Sequence, residues 1–390
     1  MFISKCQSKR FIRFVFSSLL LIALSLLPVN VFATTYTVRT IYFIPNDKVA
    51  SPNNFGKLMK DTQQFYREEM IKHGFGDKTF KLETDDKSNI VIHQINGKHA
   101  ASHYAANTVD NVFAELPIDL RLKFNFNVNV IILAGMSKFS SGSIAFGGPF
   151  THGDEANERY GGIACICEKL VSRPIEGVIK HELGHTFGLW HNFILDGKSY
   201  AMGPGKELGV GIGDDVLHKY EARWLSKSHY FNEHHIFNPA PIVIVRPLKA
   251  VSPNIIQIIL DIEDSDGLHQ IQFVRGSALR SEVFLWEFLD GNKITLRLDV
   301  GRDLLAQDDF FRIWVKDDFG NYRSYPHNYV LPDPFEDTIE KPVTNKNPDL
   351  DTDKRKENID ATKEEPIEDV NPKRIKPKNR VITSWAKLKI

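Results

Sequence analysis

The chain has 390 residues, with 49 basic and 49 acidic side chains, so its formal net charge is zero. Balanced charge gives no bulk attraction to nucleic acid or to an anionic membrane, so neither is expected as a partner. A hydrophobic content of 42% supports sizeable cores, and the length suits two domains with extensions. Three cysteines are too few for a disulfide-stapled scaffold.

At the amino terminus, Lys5, Lys9, Arg10 and Arg13 precede an apolar run from Val15 to Leu27, and Val31-Phe32-Ala33 offers a small-residue cleavage site. That is the pattern of a signal peptide. The apolar run is short for a membrane span of about 20 residues. Residues 1–33, with Cys6, are therefore expected to be removed. The mature protein is then secreted, periplasmic or at the cell surface, and it keeps no transmembrane anchor. A strand begins near Thr37, which leaves no room for a propeptide, so protein starting at Thr34 is expected to be active without further cutting.

The next segment alternates between strand and helix. Thr37–Pro45 is apolar and β-rich. Phe55, Leu58, Met59, Thr62, Phe65, Tyr66 and Met70 recur at helical spacing and predict a helix from Phe55 to His73. Strands are expected at Thr79–Glu83 and Asn89–His93, a second helix at Ala105–Leu116, and a buried strand in the continuous apolar run Val128–Leu133. The stretch Ser140–Leu170 is rich in glycine. Within it, Gly161-Gly162-Ile163-Ala164-Cys165-Ile166 reads either as an exposed edge strand or as an ordinary interior one. Cys165 and Cys167 would share a strand face. They are buried thiols, a strained disulfide or part of a second metal site.

Pro174, Ile175 and Glu176 open the most informative helix, because a proline suits a first turn. It carries His181-Glu182-Leu183-Gly184-His185-Thr186-Phe187-Gly188-Leu189-Trp190-His191, which is H-E-x-x-H-x-x-G-x-x-H. His181 and His185 are one turn apart on one face and can share a zinc ion at about 2.0–2.1 Å. Glu182 lies about 100° round the helix, beside the metal rather than on it, where a carboxylate can take a proton from zinc-bound water. Gly188 lets the helix end in a sharp turn that brings back His191 as third ligand. Three protein ligands leave one tetrahedral position open, the mark of a catalytic zinc site.

Ser199-Tyr200-Ala201-Met202-Gly203-Pro204-Gly205 follows closely. With this segment the chain resembles the metzincin superfamily of secreted zinc endopeptidases, whose signature is the extended histidine motif followed by a methionine-containing turn. The resemblance implies that Met202 forms a hydrophobic floor under the three histidines. It also implies an edge strand that pairs with substrate backbone, and a wall at Gly209-Val210-Gly211-Ile212-Gly213 that shapes the pocket beyond the scissile bond. Some branches carry a tyrosine two residues after the methionine. That position is Pro204 here, so a tyrosine ligand is not implied. Asp214–Tyr230 resembles the helix that closes the lower half of the domain. His218, His229, His234 and His235 in or after it are taken as surface or core side chains.

Past Asn238 the pattern changes to short β-rich runs: Ile242–Val245, Ile255–Leu260, Ile271–Val274, Thr295–Leu298 and Phe311–Val315. Their spacing reads as an immunoglobulin-like sandwich. The turns Asp264-Ser265-Asp266-Gly267 and Asp317-Asp318-Phe319-Gly320-Asn321 offer acids that could take calcium. Aspartate also favours turns with no ion, and that reading is preferred. Residues 332–380 are charged and proline-rich, as in a disordered tether. Residues 381–390 turn apolar again around Trp385 and Leu388.

The expected fold class is α+β. A signal peptide (1–33) precedes a metzincin-like catalytic domain (34–237), a sandwich (238–331), a disordered linker (332–380) and a short apolar tail (381–390). The expected activity is that of a zinc metalloendopeptidase, a hydrolase. Glu182 activates the water, His181, His185 and His191 hold one zinc ion, and a peptide or protein substrate binds as an extended strand. The alternative is an adhesion or scaffolding protein that retains zinc with little turnover, which the intact Glu182 disfavours. Removing residues 238–390 is expected to leave hydrolysis of short peptides intact.

Overall fold

The computed structural model describes residues 36–51, 54–121, 127–152, 159–169, 174–192, 200–203, 216–232, 239–275, 282–305 and 310–328. The signal peptide, the Gly209–Gly213 wall, Pro204, His234, His235, the charged linker and the apolar tail lie outside them. Helices pack with several sheets, a mixed arrangement of helix and strand that is consistent with the expected α+β class.

The first sheet is built on apolar alternation. It contains β1 (Thr37–Ile44), β2 (Lys81–Leu82), β3 (Ile92–Asn96), β4 (Val128–Leu133), β5 (Ala145–His152) and β6 (Arg159–Cys167). The order is β2-β1-β4-β6-β5, and β3 also pairs with β1. All pairings are parallel except that of β5 with β6. Every residue of β4 is buried, as a parallel strand covered on both faces requires. Side chains leave a strand alternately to its two faces. Accordingly Tyr42, Val128, Val130, Ile132, Ala164 and Ile166 join one core, while Ile41, Phe43, Ile131, Leu133, Ile163, Cys165 and Cys167 join the other. Each fully buried aliphatic chain contributes about 1.5–3 kcal/mol.

The first core is covered by α1 (Phe55–Lys72) and, as described below, by the helix of the histidine motif. The second is covered by α2 (Ala101–Ala105) and α3 (Thr108–Glu115), through Tyr104 and Val112. The single helix expected over Ala105–Leu116 is thus two. Asn107 between them has φ 49°, a left-handed conformation that interrupts a helix.

One reading of the glycine-rich stretch is settled against an edge. Gly161–Ile166 lies in β6, which pairs with β4 on one side and β5 on the other, so it is an interior strand. Its side chains pack alternately into both cores, so both of its faces are covered. The edge is β5, antiparallel and carrying Gly147-Gly148. Cys165 and Cys167 are free and buried. Burial pushes the Cys165 thiol well above its ordinary range and Cys167 up to about 12, as expected of inert core thiols.

The motif helix is α4 (Ile175–Thr186), with Pro174 at its N-cap, and α5 (Lys219–Ser226) follows the methionine turn. Beyond it come β7 (Ile242–Val245), β8 (Lys249–Ser252), β9 (Ile255–Glu263), β10 (Leu268–Arg275), β11 (Glu282–Phe288), β12 (Lys293–Gly301), α6 (Arg302–Leu305), β13 (Phe310–Asp317) and β14 (Tyr322–Asn328). All five expected strands occur, and β8, β11 and β14 are additional.

The chain divides into two compact units. The first is Met1–Ile244, Asp261–Thr295 and Phe310–Asn328; the second is Val245–Leu260, Leu296–Asp309 and Tyr329–Ile390. The first unit therefore holds the parallel sheet, α1–α5 and an antiparallel sheet of order β11-β10-β13-β14. Val274, Trp314 and Tyr322 of that second sheet belong to the same core as Leu183 of α4 and Trp224 of α5. Lys316 is fully buried, donates to Trp224 O at 2.9 Å and sits 4.1 Å from the Trp224 ring. Burial pushes the Lys316 amine well below its ordinary range. In the second unit, β8 runs antiparallel to β9, and Gln257 of β9 donates to Asp299 of β12 at 3.0 Å.

Candidate metal centre

The helix α4 ends where the sequence places Gly188. Gly188 N donates to His185 O and Leu189 N donates to Gly184 O, both at 3.0 Å, which is the paired bonding of a Schellman cap. Gly188 has φ +83°, and a Cβ there would stand 3.1 Å from Trp224 Nε1. The turn sends the chain back past the helix. The imidazoles of His181, His185 and His191 then converge, with one candidate ligand atom from each within 4.8 Å of the others.

Two of these rings are oriented by backbone. His181 Nδ1 lies 2.7 Å from Ala201 O, and His185 Nδ1 lies 2.8 Å from Leu189 O. A carbonyl can only accept, so each Nδ1 carries the proton and each Nε2 presents a lone pair. Those two Nε2 atoms are 3.1 Å apart. Two neutral imidazoles facing lone pair to lone pair at that distance suit a shared cation. The spacing is close to the ~3.3 Å between two nitrogens bound tetrahedrally at about 2.0–2.1 Å. Burial, followed by the neighbouring His181 and His191, pushes His185 well below its ordinary range, so it stays neutral as a ligand must. The residues present therefore fit zinc.

Met202 is fully buried beneath the helix. A Cβ on Gly184 would come within 2.3 Å of Met202 Sδ, so the thioether lies against the helix between the two histidines. Sequence reasoning found Met202 but missed Gly184, whose constraint comes from a residue outside its own helix. Glu182 is buried, at 8% exposure. Its carbonyl faces the edge strand: a Cβ on Gly147 would meet Glu182 O at 2.3 Å, so β5 passes directly along α4.

The segment after His191 is held from several sides. Asn192 N donates to Met202 O at 2.8 Å, and its side chain donates to Glu221 Oε1 at 3.1 Å. Glu221 Oε2 accepts from His218 N at 2.7 Å, and His218 caps α5. Burial pushes Glu221 up to about 8. Sequence reasoning treated His218 as incidental and overlooked Glu221 and Asn192. His229 is buried, against Tyr36.

A second acidic group exists where the aspartate-rich turns meet. Carboxylate oxygens of Asp264, Asp266 and Asp317 come within 4.8 Å. Asp317 accepts from Phe319 N, Asn321 N and Asn321 Nδ2, and Asp264 accepts from Asp266 N. These bonds are the turn chemistry that aspartate supplies with no ion. Burial, with the charge of Asp264 nearby, pushes Asp317 up to about 7.

Among the described residues no helix is long and apolar enough to cross a membrane. No family model and no curated protein matches the sequence. Among solved structures, the chain is similar to wild-type OgpA from Akkermansia muciniphila, with 19% identity and a TM-score of 0.47 over 75% of this chain and 93% of that one. A catalytically inactive OgpA in complex with an O-glycopeptide, glycodrosocin, gives the same identity and TM-score over 75% and 92%. A β-glucosidase from Listeria innocua gives 10% identity and a TM-score of 0.19 over 78% of this chain and 47% of that one.

Proposed function

We propose that the protein is a zinc-dependent endopeptidase of metzincin type, exported and acting on peptide substrates. The observation that carries this reading is the pair of facing Nε2 lone pairs on His181 and His185, with His191 converging on them. When bound, zinc would polarise the scissile carbonyl and bring the pKa of water to about 7. His181, His185 and His191 would hold it, and the carbonyls of Ala201 and Leu189 keep two of those rings in the ligating tautomer.

The protein's own groups do the rest. Glu182 takes up the proton as water adds to the carbonyl, then returns it to the leaving amine. Among the described residues β5 is an edge of its sheet, and such an edge can take an extended peptide as an added strand. Because β5 runs along α4 at Gly147, such a strand lies across the histidines. Met202 packs under the helix and holds the floor of the site rigid. The C-terminal strands belong to the same proposal as an immunoglobulin-like module.

The test is cleavage of a peptide library by zinc-loaded protein, with Glu182→Gln beside it. The variant should keep its fold and its zinc and lose turnover by about a hundredfold or more. Full zinc loading with no cleavage of any peptide would favour the zinc-retaining scaffold. Turnover retained in the variant would remove Glu182 from its role.

A further inference from the structure

His181 and His185 are fixed by a helix, but His191 lies on irregular chain beyond Gly188. Besides the bonds of Asn192 to Met202 and Glu221, a strand from the far end of the same unit holds that backbone. Val283 N donates to His191 O at 3.1 Å, and His191 forms a parallel bridge with Glu282. Both residues open β11, the edge strand of the order β11-β10-β13-β14. The other side of β11 is in register with β10, from Gln270 opposite Phe288 to Arg275 opposite Glu282. Arg275 and Glu282 also form an ion pair that pins the start of β11. Next to His191, Trp190 packs on Trp314 of β13, with ring centroids 5.2 Å apart.

We infer that β11 is a positioning element for the third metal ligand, with the Val283 amide as the residue-level contact. The inference rests on the zinc reading above. The antiparallel sheet is then part of the metal centre's support, because it sets where the His191 imidazole can reach. Groups that orient ligands typically change metal affinity by 10–100-fold when lost. The Val283 N–H points towards His191 and away from β10, so proline at that position removes the brace without taking a bond from the sheet.

The experiment compares full-length wild type, Val283→Ile and Val283→Pro. Zinc affinity is read by chelator competition, and ligand geometry by the visible spectrum of the cobalt-substituted protein. Val283→Pro should fold, bind zinc about tenfold more weakly and give an altered cobalt spectrum. Val283→Ile, which keeps the N–H, should match the wild type in both. Coupling is reciprocal, so in the wild type itself zinc should slow hydrogen exchange at the Val283 amide. That measurement decides the question even if the proline variant does not fold. Unchanged affinity and spectrum in a folded Val283→Pro, or a Val283 amide indifferent to zinc, would overturn the inference and leave the zinc site intact. A wild type that takes up no zinc would overturn the proposed function and this inference together.

Discussion

Gly188 serves the helix and the candidate metal site at once. Its left-handed backbone closes the Schellman cap, and Leu189, the next residue in that cap, supplies the carbonyl that orients His185. An L-residue in that conformation costs about 1–2 kcal/mol, and its Cβ would press on Trp224. Gly188→Ala should therefore lower the melting temperature by several degrees and also lower zinc retention, measured by calorimetry and by metal content after dialysis. A variant that melted early but kept full zinc would confine Gly188 to the helix end. The three histidines and Gly188 were legible in the sequence because the rule joining them is local: one helical turn and one cap. Gly184 was not, because its lack of a Cβ matters only once Met202 has folded beneath it. Asn192 and Glu221 were hidden for the same reason, being far apart in sequence and meeting only in the fold.

Among the elements, the buried hydrogen bonds at the start of α5 carry a pH signature. Glu221 has an ordinary value of 4.5 and is pushed to about 8, mainly by burial. An acid raised in this way keeps its proton longer in the folded chain than in the unfolded one. Its contribution to stability is full below 4.5 and is lost as pH rises through about 8. Glu221→Gln removes that titration and keeps one acceptor oxygen, for Asn192 or for His218. Its NH2 then faces the other donor, a loss that does not vary with pH. Between about pH 5 and about pH 8.5 the variant should lose less melting temperature than the wild type. Parallel curves would mean that Glu221 is ionised in the fold throughout. Elements with a strong period, such as α1 and β4, were readable to within a residue or two. The helix over Ala105–Leu116 was read as continuous because nothing in its apolar pattern reports the left-handed turn at Asn107. The edge assignment in the glycine-rich stretch depended on which strand β6 would meet, and sequence spacing does not encode that.

For the whole molecule, the expected independence of the C-terminal half meets the shared core. Trp314 and Tyr322 pack with Trp224, and the fully buried Lys316 spends its hydrogen bond on Trp224 O. A chain ended at Asn238 would expose the face of α5 and strip the core of large aromatic side chains, each loss on the order of several kcal/mol. Such a fragment should fail to give a cooperative melting transition and should not hydrolyse short peptides. A folded, active fragment would show that this sheet is an accessory. The shared core is not legible in the sequence, because each half carries a self-consistent pattern of its own.

The hydrogen bond from Val283 to His191 also has a consequence in time. His181 and His185 are brought together as soon as one helix forms, which is fast and local. The third histidine waits for a strand that is made much later, and contacts so distant in sequence form late in folding. Another link of the same kind, from Lys316 to Trp224, joins residues 92 positions apart. On the proposed zinc reading, a chain still being synthesised therefore carries two placed ligands and a third not yet braced. On that reading the site reaches its full metal affinity only after residues 282–288 have arrived. Tight metal binding would then be delayed by the order of folding itself, and refolding followed with a zinc-sensitive dye should show the final gain in affinity in the slowest phase.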